Sequence, residues 1–129
     1  MARKGGLAAA VNLYQQALRI TPSDRRTHYN LANVLALQRN FPETAQHYRA
    51  ALEIDPDFAE AHESFGRLLA AQGADDRAIE EFRAALQLKP AFAEAHESLS
   101  RIYKRQGKFK EAIEHAEAAI RIIKAAPPQ

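Results

Sequence analysis

Apolar and small residues recur along the chain at helical spacing. His28, Leu31, Ala32 and Leu35 stand at i, i+3, i+4 and i+7, one face of an α-helix, and Thr44, Ala45, Tyr48, Ala51 and Leu52 repeat that pattern after a short break. The break holds Arg39-Asn40 here and Gln72-Gly73 and Gln106-Gly107 farther on, where asparagine or glycine tolerates the left-handed conformation that ends a helix. Asp55-Pro56 and Lys89-Pro90 stop the second pattern, because proline disfavours helix at the residue before it. No alternation of period two competes. The pattern predicts helix hairpins and no strands.

The hairpins repeat at a fixed distance. The stretch FAEAHES occurs at 58–64 and returns, letter for letter, at 92–98. Aligned at that offset, the chain divides into repeats at 25–58, 59–92 and 93–126. His28, His62 and His96 hold the fourth place of each repeat, Leu31, Phe65 and Leu99 the seventh, small Ala32, Gly66 and Ser100 the eighth, and Ala51, Ala85 and Ala119 the twenty-seventh. The last two repeats agree at 15 of 34 places, too many for two copies of a short site and as expected for a duplicated packing unit. Pro22, Pro56 and Pro90 close successive repeats, and Lys124 breaks the series. Residues 7–22 match the second helix alone, with Ala10, Tyr14, Ala17 and Pro22 in register. The sequence therefore predicts a single all-α domain over 1–129 with seven helices, an orphan second helix followed by three hairpins.

Helix–turn–helix repeats of about 34 residues, with small residues at fixed places and a closing proline, resemble the tetratricopeptide repeat (TPR) family. FGRLL…QG…AIEEFRAALQLKP follows that pattern in the second repeat, and LSRIY…QGKFKEAIEHAEAAI follows it in the third, with Ala116 where an aromatic is usual. Histidine replaces the usual aromatic at the fourth place, and Thr44 the usual alanine. The resemblance implies a right-handed α-solenoid in which each repeat buries its apolar stripe on its neighbours. It also implies a concave surface lined by the first helix of each repeat.

On those first helices the second, fifth, sixth, ninth, twelfth and thirteenth places fall opposite the core face. They are Arg26, Tyr29, Asn30, Asn33, Ala36 and Leu37 in the first repeat; Glu60, Glu63, Ser64, Arg67, Ala70 and Ala71 in the second; and Glu94, Glu97, Ser98, Arg101, Lys104 and Arg105 in the third. The resemblance makes this the groove of a non-catalytic protein-interaction module or adaptor that holds a peptide or helix of a partner protein. The four glutamates form an acidic band and the arginines with Lys104 a basic one. Both also read as ordinary solvated helix faces, since Glu63–Arg67 and Glu97–Arg101 are i, i+4 pairs, each worth roughly 0.2–0.5 kcal/mol of helix support. Tyr29, Asn30 and Asn33 suit contact with a peptide, an aromatic surface beside two amides. The clamp of lysines, asparagines and an arginine that some TPR adaptors close on chaperone C-terminal carboxylates is not matched. Asn33 fits it, but Tyr29, Ser64, Glu94 and Ser98 stand in the other places. The asparagine ladder of O-GlcNAc transferase is not reproduced either, as Ser64 and Ser98 follow Asn30.

Composition narrows the rest. The net charge of +2 gives no strong electrostatic address for nucleic acid or an anionic membrane. RIYKRQGKFK at 101–110 mixes basic and aromatic residues, but Tyr103 and Phe109 fall at places expected to face the packing interior, so nucleic-acid binding is not expected. Cysteine is absent, which removes disulfides, thiolate metal sites and thiol nucleophiles. His62 and His96 do not suit a shared zinc, whose nitrogens sit about 2.0–2.1 Å from the metal, because stacked helices lie on the order of 8–10 Å apart. Gly66 and Ser100 stand where the second histidine of HExxH would be. No glycine-rich phosphate loop or GxSxG occurs, so no cofactor, metal or catalysis is expected, although the chain could serve as the partner-reading appendage of a larger enzyme. No apolar window is long enough for a membrane span. The N-terminal apolar patch ends at Val11-Asn12 without a cleavage pattern, leaving the compartment open with the cytoplasm slightly favoured. Leu7, Val11, Tyr14 and Leu18 on the orphan helix and Ile120, Ile122 and Ile123 on the last are expected at open ends, which makes a homo-oligomer the second reading. The closing APPQ reads as a linker or truncation scar.

Overall fold

The computed structural model describes residues 4–127. Seven helices and no strand occur among them: α1 Lys4–Ile20, α2 Arg25–Leu37, α3 Phe41–Ile54, α4 Ala59–Ala71, α5 Asp75–Leu88, α6 Ala93–Arg105 and α7 Phe109–Ala125. Helix α1 begins before the expected Leu7 and ends at Ile20. Gly5 and Gly6 each cost about 1 kcal/mol of helix propensity relative to alanine, which the strong helix formers Leu7 to Ala10 offset, and Thr21-Pro22 turns the chain away. Asp24 caps α2 by accepting the backbone N–H groups of Arg26 and Thr27 at 3.1 and 3.2 Å, a motif worth about 0.5–2 kcal/mol. Pro42 stands in the first turn of α3, where its missing N–H has no intrahelical partner to lose.

Each hairpin turns by the same device. Arg39, Gly73 and Gly107 adopt positive φ of 62°, 80° and 75°. The N–H of each reaches back to Ala36, Ala70 or Lys104, and the next N–H to Leu35, Leu69 or Tyr103, at 2.8–3.0 Å throughout. These two bonds define a Schellman motif, and they fix which residue must be left-handed. Asn40, the residue suited to that conformation, lies one position late, so Arg39 adopts it.

The packing divides the chain into two compact units that meet in sequence between Ala61 and His62. In the first, α1 packs on α2 and α2 on α3. Leu31, Ala32, Leu35, Tyr48 and Ala51 are buried, and Ala51, Phe58 and Ala61 form a cluster on which Tyr29 and Leu52 pack. In the second, α6 packs on α5 and on α7, with Phe82, Leu99 and Ile102 almost wholly buried. The eighth place is small for a visible reason here: a Cβ on Gly66 would lie 2.8 Å from the ring of Phe82. Ser100 at the equivalent place donates to the carbonyl of Ala112 at 2.7 Å. Buried Thr44 is satisfied in the same way, its hydroxyl donating to Asn40 O at 2.7 Å.

Two expectations about exposure are corrected. Phe109 is 61% exposed, not interior, because its place opens the second helix of the repeat, where Asp75 stands one repeat earlier. On α1, Leu7, Val11, Tyr14 and Leu18 are half-buried, while Leu13 and Ile20 are 65% and 85% exposed. Leu13 holds the place of His47, Glu81 and His115, the residues that meet their own first helix. Among the described residues no helix precedes α1, and its open face is the one bearing Leu13.

Candidate functional site

In the first unit the residues expected in the groove lie on α2, with Glu60 at the start of α4. Arg26 is exposed at the N-terminus of α2, its guanidinium 4.8 Å from the centroid of Phe58 and 5.8 Å from that of Tyr29. Tyr29 is half-buried against Phe58 and Tyr48, with ring centroids at 4.9 and 6.1 Å. It was expected opposite the core, but Phe58, the last residue of the repeat, supplies a second apolar wall on that side. Asn33 accepts a hydrogen bond from the Tyr48 hydroxyl, which fixes the orientation of its amide. Asn30 and Glu60 are half-buried. Leu37, 66% exposed, lines a cavity of about 540 Å³ with Leu7, Gln38, Arg39 and Asn40.

In the second unit, α4 and α6 bring several of the sequence-chosen residues together. Arg67, Ala70, Ala71, Ser98, Arg101 and Arg105 line one open cleft of about 260 Å³, floored by Phe82 and Ile102. Two features recur one repeat apart. Arg67 donates to Ser64 Oγ at 3.3 Å, and Arg101 to Ser98 Oγ at 3.2 Å. Both serines are buried, where the groove assignment would have them open. Glu63 departs furthest from a solvated face: it is 5% exposed and pairs with Arg67, Nε to Oε2 at 2.7 Å. Burial pushes its carboxyl above the usual carboxylate range, opposed by Arg67, reinforced by Glu94 and opposed again by Arg101. A first helix here has neighbours on more sides than a simple two-faced reading allows, which is why the fifth and sixth places are covered. Asp75, absent from the groove list, pairs with Arg105 at 2.7 Å. Its signal in the sequence is a carboxylate at a place held by phenylalanine in the repeats on either side. Glu94, Lys104, Arg101 and Arg105 are exposed and Glu97 is half-buried.

The fourth-place histidines also have an ordered role. His28 Nε2 lies 2.8 Å from Pro22 O, so that nitrogen carries a proton, and Nδ1 shares a hydrogen bond with His47 Nδ1 at 3.0 Å. His96 repeats the arrangement with Pro90 O at 3.2 Å and His115 Nδ1 at 2.9 Å. In the middle repeat Glu81 replaces the second histidine, and His62 Nδ1 lies 2.8 Å from its Oε1. Burial and then His28 hold His47 below the usual histidine range, with Glu43 opposing. Burial and then His96 do the same to His115, with Glu114 opposing and Arg83 reinforcing. Among the described residues no group of three or more His, Cys, Asp or Glu is placed to hold a metal ion.

Family models match most of the chain. One described as "TPR repeat" covers residues 2–39 and 66–107, and two described as "Tetratricopeptide repeat" cover 26–58 and 93–125. The chain belongs to the tetratricopeptide repeat family. Membership makes it a protein-interaction scaffold with the all-α solenoid fold of TPR proteins. No curated protein sequence matches it. Among solved structures, "Crystal structure of MamA protein" aligns with a TM-score of 0.84 at 19% identity, over 97% of this chain and 70% of that one. "MamA 41-end from Desulfovibrio magneticus RS-1" gives 0.84 at 20% identity over 96% and 70%. "Crystal structure of MamA" gives 0.72 at 18% over 94% and 91%. At these identities the likeness is one of fold. The TPR chain has no described helix long and apolar enough to cross a membrane.

Proposed function

We propose that the first-helix surface of this TPR chain binds a peptide or helix of a partner protein, without catalysis of its own. The supporting observation is the cleft of the second unit, where six of the residues chosen as groove-forming converge on one open space. The test is affinity capture with the native chain beside two variants. Arg67→Glu with Arg101→Glu reverses charge in the cleft, and Arg121→Glu does so on the exposed side of α7. A partner held by the native chain and by Arg121→Glu, and lost by the cleft variant, is the expected result. Equal retention by all three contradicts the proposal.

A second reading has its own observation. Leu13 and Ile20 on α1, and Ile113, Ile120 and Ile123 on α7, are large apolar residues left in water. Ile79, at the place of Ile113 one repeat earlier, is buried. Fully burying such a side chain is worth roughly 1.5–3 kcal/mol, so these ends favour association of copies. Light scattering that finds only the 14.4 kDa species at millimolar concentration rules this out.

A further inference from the structure

Three guanidinium groups line the cleft of the second unit, and two of them carry a carboxylate partner. Arg67 is paired with Glu63 and Arg105 with Asp75, each at 2.7 Å. The contact of Arg101 is the neutral hydroxyl of Ser98, itself buried. Arg101 is therefore the arginine of the cleft whose planar fork is not paired with a carboxylate. The cleft of about 260 Å³ holds about nine waters at roughly 30 Å³ each. That is room for a side chain. Its remaining lining, Ala70, Ala71, Phe82 and Ile102, is apolar.

We propose that this cleft receives one aspartate or glutamate side chain of the partner segment, held by the Arg101 guanidinium, with its methylene stem against Ala70 and Ala71. The inference rests on the groove reading and specifies the chemistry that the groove selects. An arginine fork matches a carboxylate bidentately, and such charge-assisted bonds are about twice as strong as neutral ones. Arg67 and Arg105, fixed by their own carboxylates, flank the site without needing to be reorganised. A polyanion such as nucleic acid is disfavoured, because Glu63, Asp75, Glu94 and Glu97 lie close to these arginines in the same unit.

The test begins with selection from a random octapeptide display library on the full native chain. The expected binders share an acidic residue at one position. Replacing that residue by its amide is expected to weaken binding about tenfold or more, the value of a hydrogen-bonded charge. Two variants of the chain then push in opposite directions. Arg101→Gln is expected to abolish the preference, so that the acidic peptide and its amide bind alike. Glu63→Gln removes a negative charge beside the cleft and is expected to tighten the acidic peptide while leaving the amide peptide unchanged. A merely structural role for these residues would move both peptides together. Binders without acidic preference, or a preference that survives Arg101→Gln, overturn the carboxylate assignment and leave the groove reading standing. Failure to select any peptide overturns both.

Discussion

Gly66 shows how much one hydrogen atom decides. Phe82 is fully buried and its ring lies against the glycine, so a methyl group at 2.8 Å forces the ring off its position. Gly66→Ala is expected to cost about 1–3 kcal/mol, read as a lowered midpoint in urea. Arg39 presents the opposite case, a non-glycine residue where the turn needs positive φ. Left-handed backbone costs such a residue roughly 1–2 kcal/mol, partly offset by the entropy that glycine would lose, so Arg39→Gly is expected to stabilise by up to ~1 kcal/mol. Glu63 carries a pH dependence. Its folded pKa is raised, so its contribution is fully present below the unfolded carboxylate pKa and lost as pH rises through the folded one. Glu63→Gln is therefore expected to melt higher than the native chain at pH 7 and to lose that advantage toward pH 4. The small eighth place was legible because it returns in every repeat. The burial of Glu63 was not, since a glutamate followed by arginine at i+4 has the signature of an exposed helix pair and its burial depends on neighbouring helices.

At the scale of the helix pair, the histidines are the distinctive feature. His28–His47 and His96–His115 join first and second helices through their Nδ1 atoms, and the middle repeat makes the same link with a carboxylate. For His47 and His115 the folded pKa is depressed below the ordinary value near 6.5. Their contribution to stability is thus present above about pH 6.5 and is lost as pH falls through the folded value. Thermal melting between pH 7.5 and 5 is expected to show this loss, and His47→Gln with His115→Gln to flatten it. Copying the middle repeat gives a sharper check. Arg77 precedes Glu81 by four residues where Glu43 precedes His47, so Glu43→Arg with His47→Glu is expected to make the first hairpin tolerant of acid. An unchanged melting slope for that double variant contradicts the assignment. That the histidines pack was readable from their place on the apolar face. Their partners were not, because the two members of each pair lie on different helices and meet only once the hairpin closes. The turns were nearly legible: the break was found, but the left-handed residue was set by the two closing hydrogen bonds and not by the neighbouring asparagine.

For the whole molecule, seven helices in the expected order are present among the described residues, and the family models identify tetratricopeptide repeats over most of the chain. The ends were legible in outline only. Both terminal helices expose large apolar residues, yet on α1 the open face is the one that bears Leu13, at the place that meets the first helix in the other repeats. The groove residues were chosen by helical geometry together with the family resemblance, and of them Arg67, Ser98, Arg101 and Arg105 line one cleft. Its acidic partner Asp75 came from a second helix, outside the surface being considered. The central claim is that protein partners bind the first helices and not the apolar ends. The most direct measurement is amide chemical-shift mapping of the native chain titrated with a selected acidic peptide. Shifts concentrated on α4 and α6 around Arg67 and Arg101 are the expected result. Shifts confined to α1 and to the Ile113–Ile120–Ile123 face of α7 would contradict it.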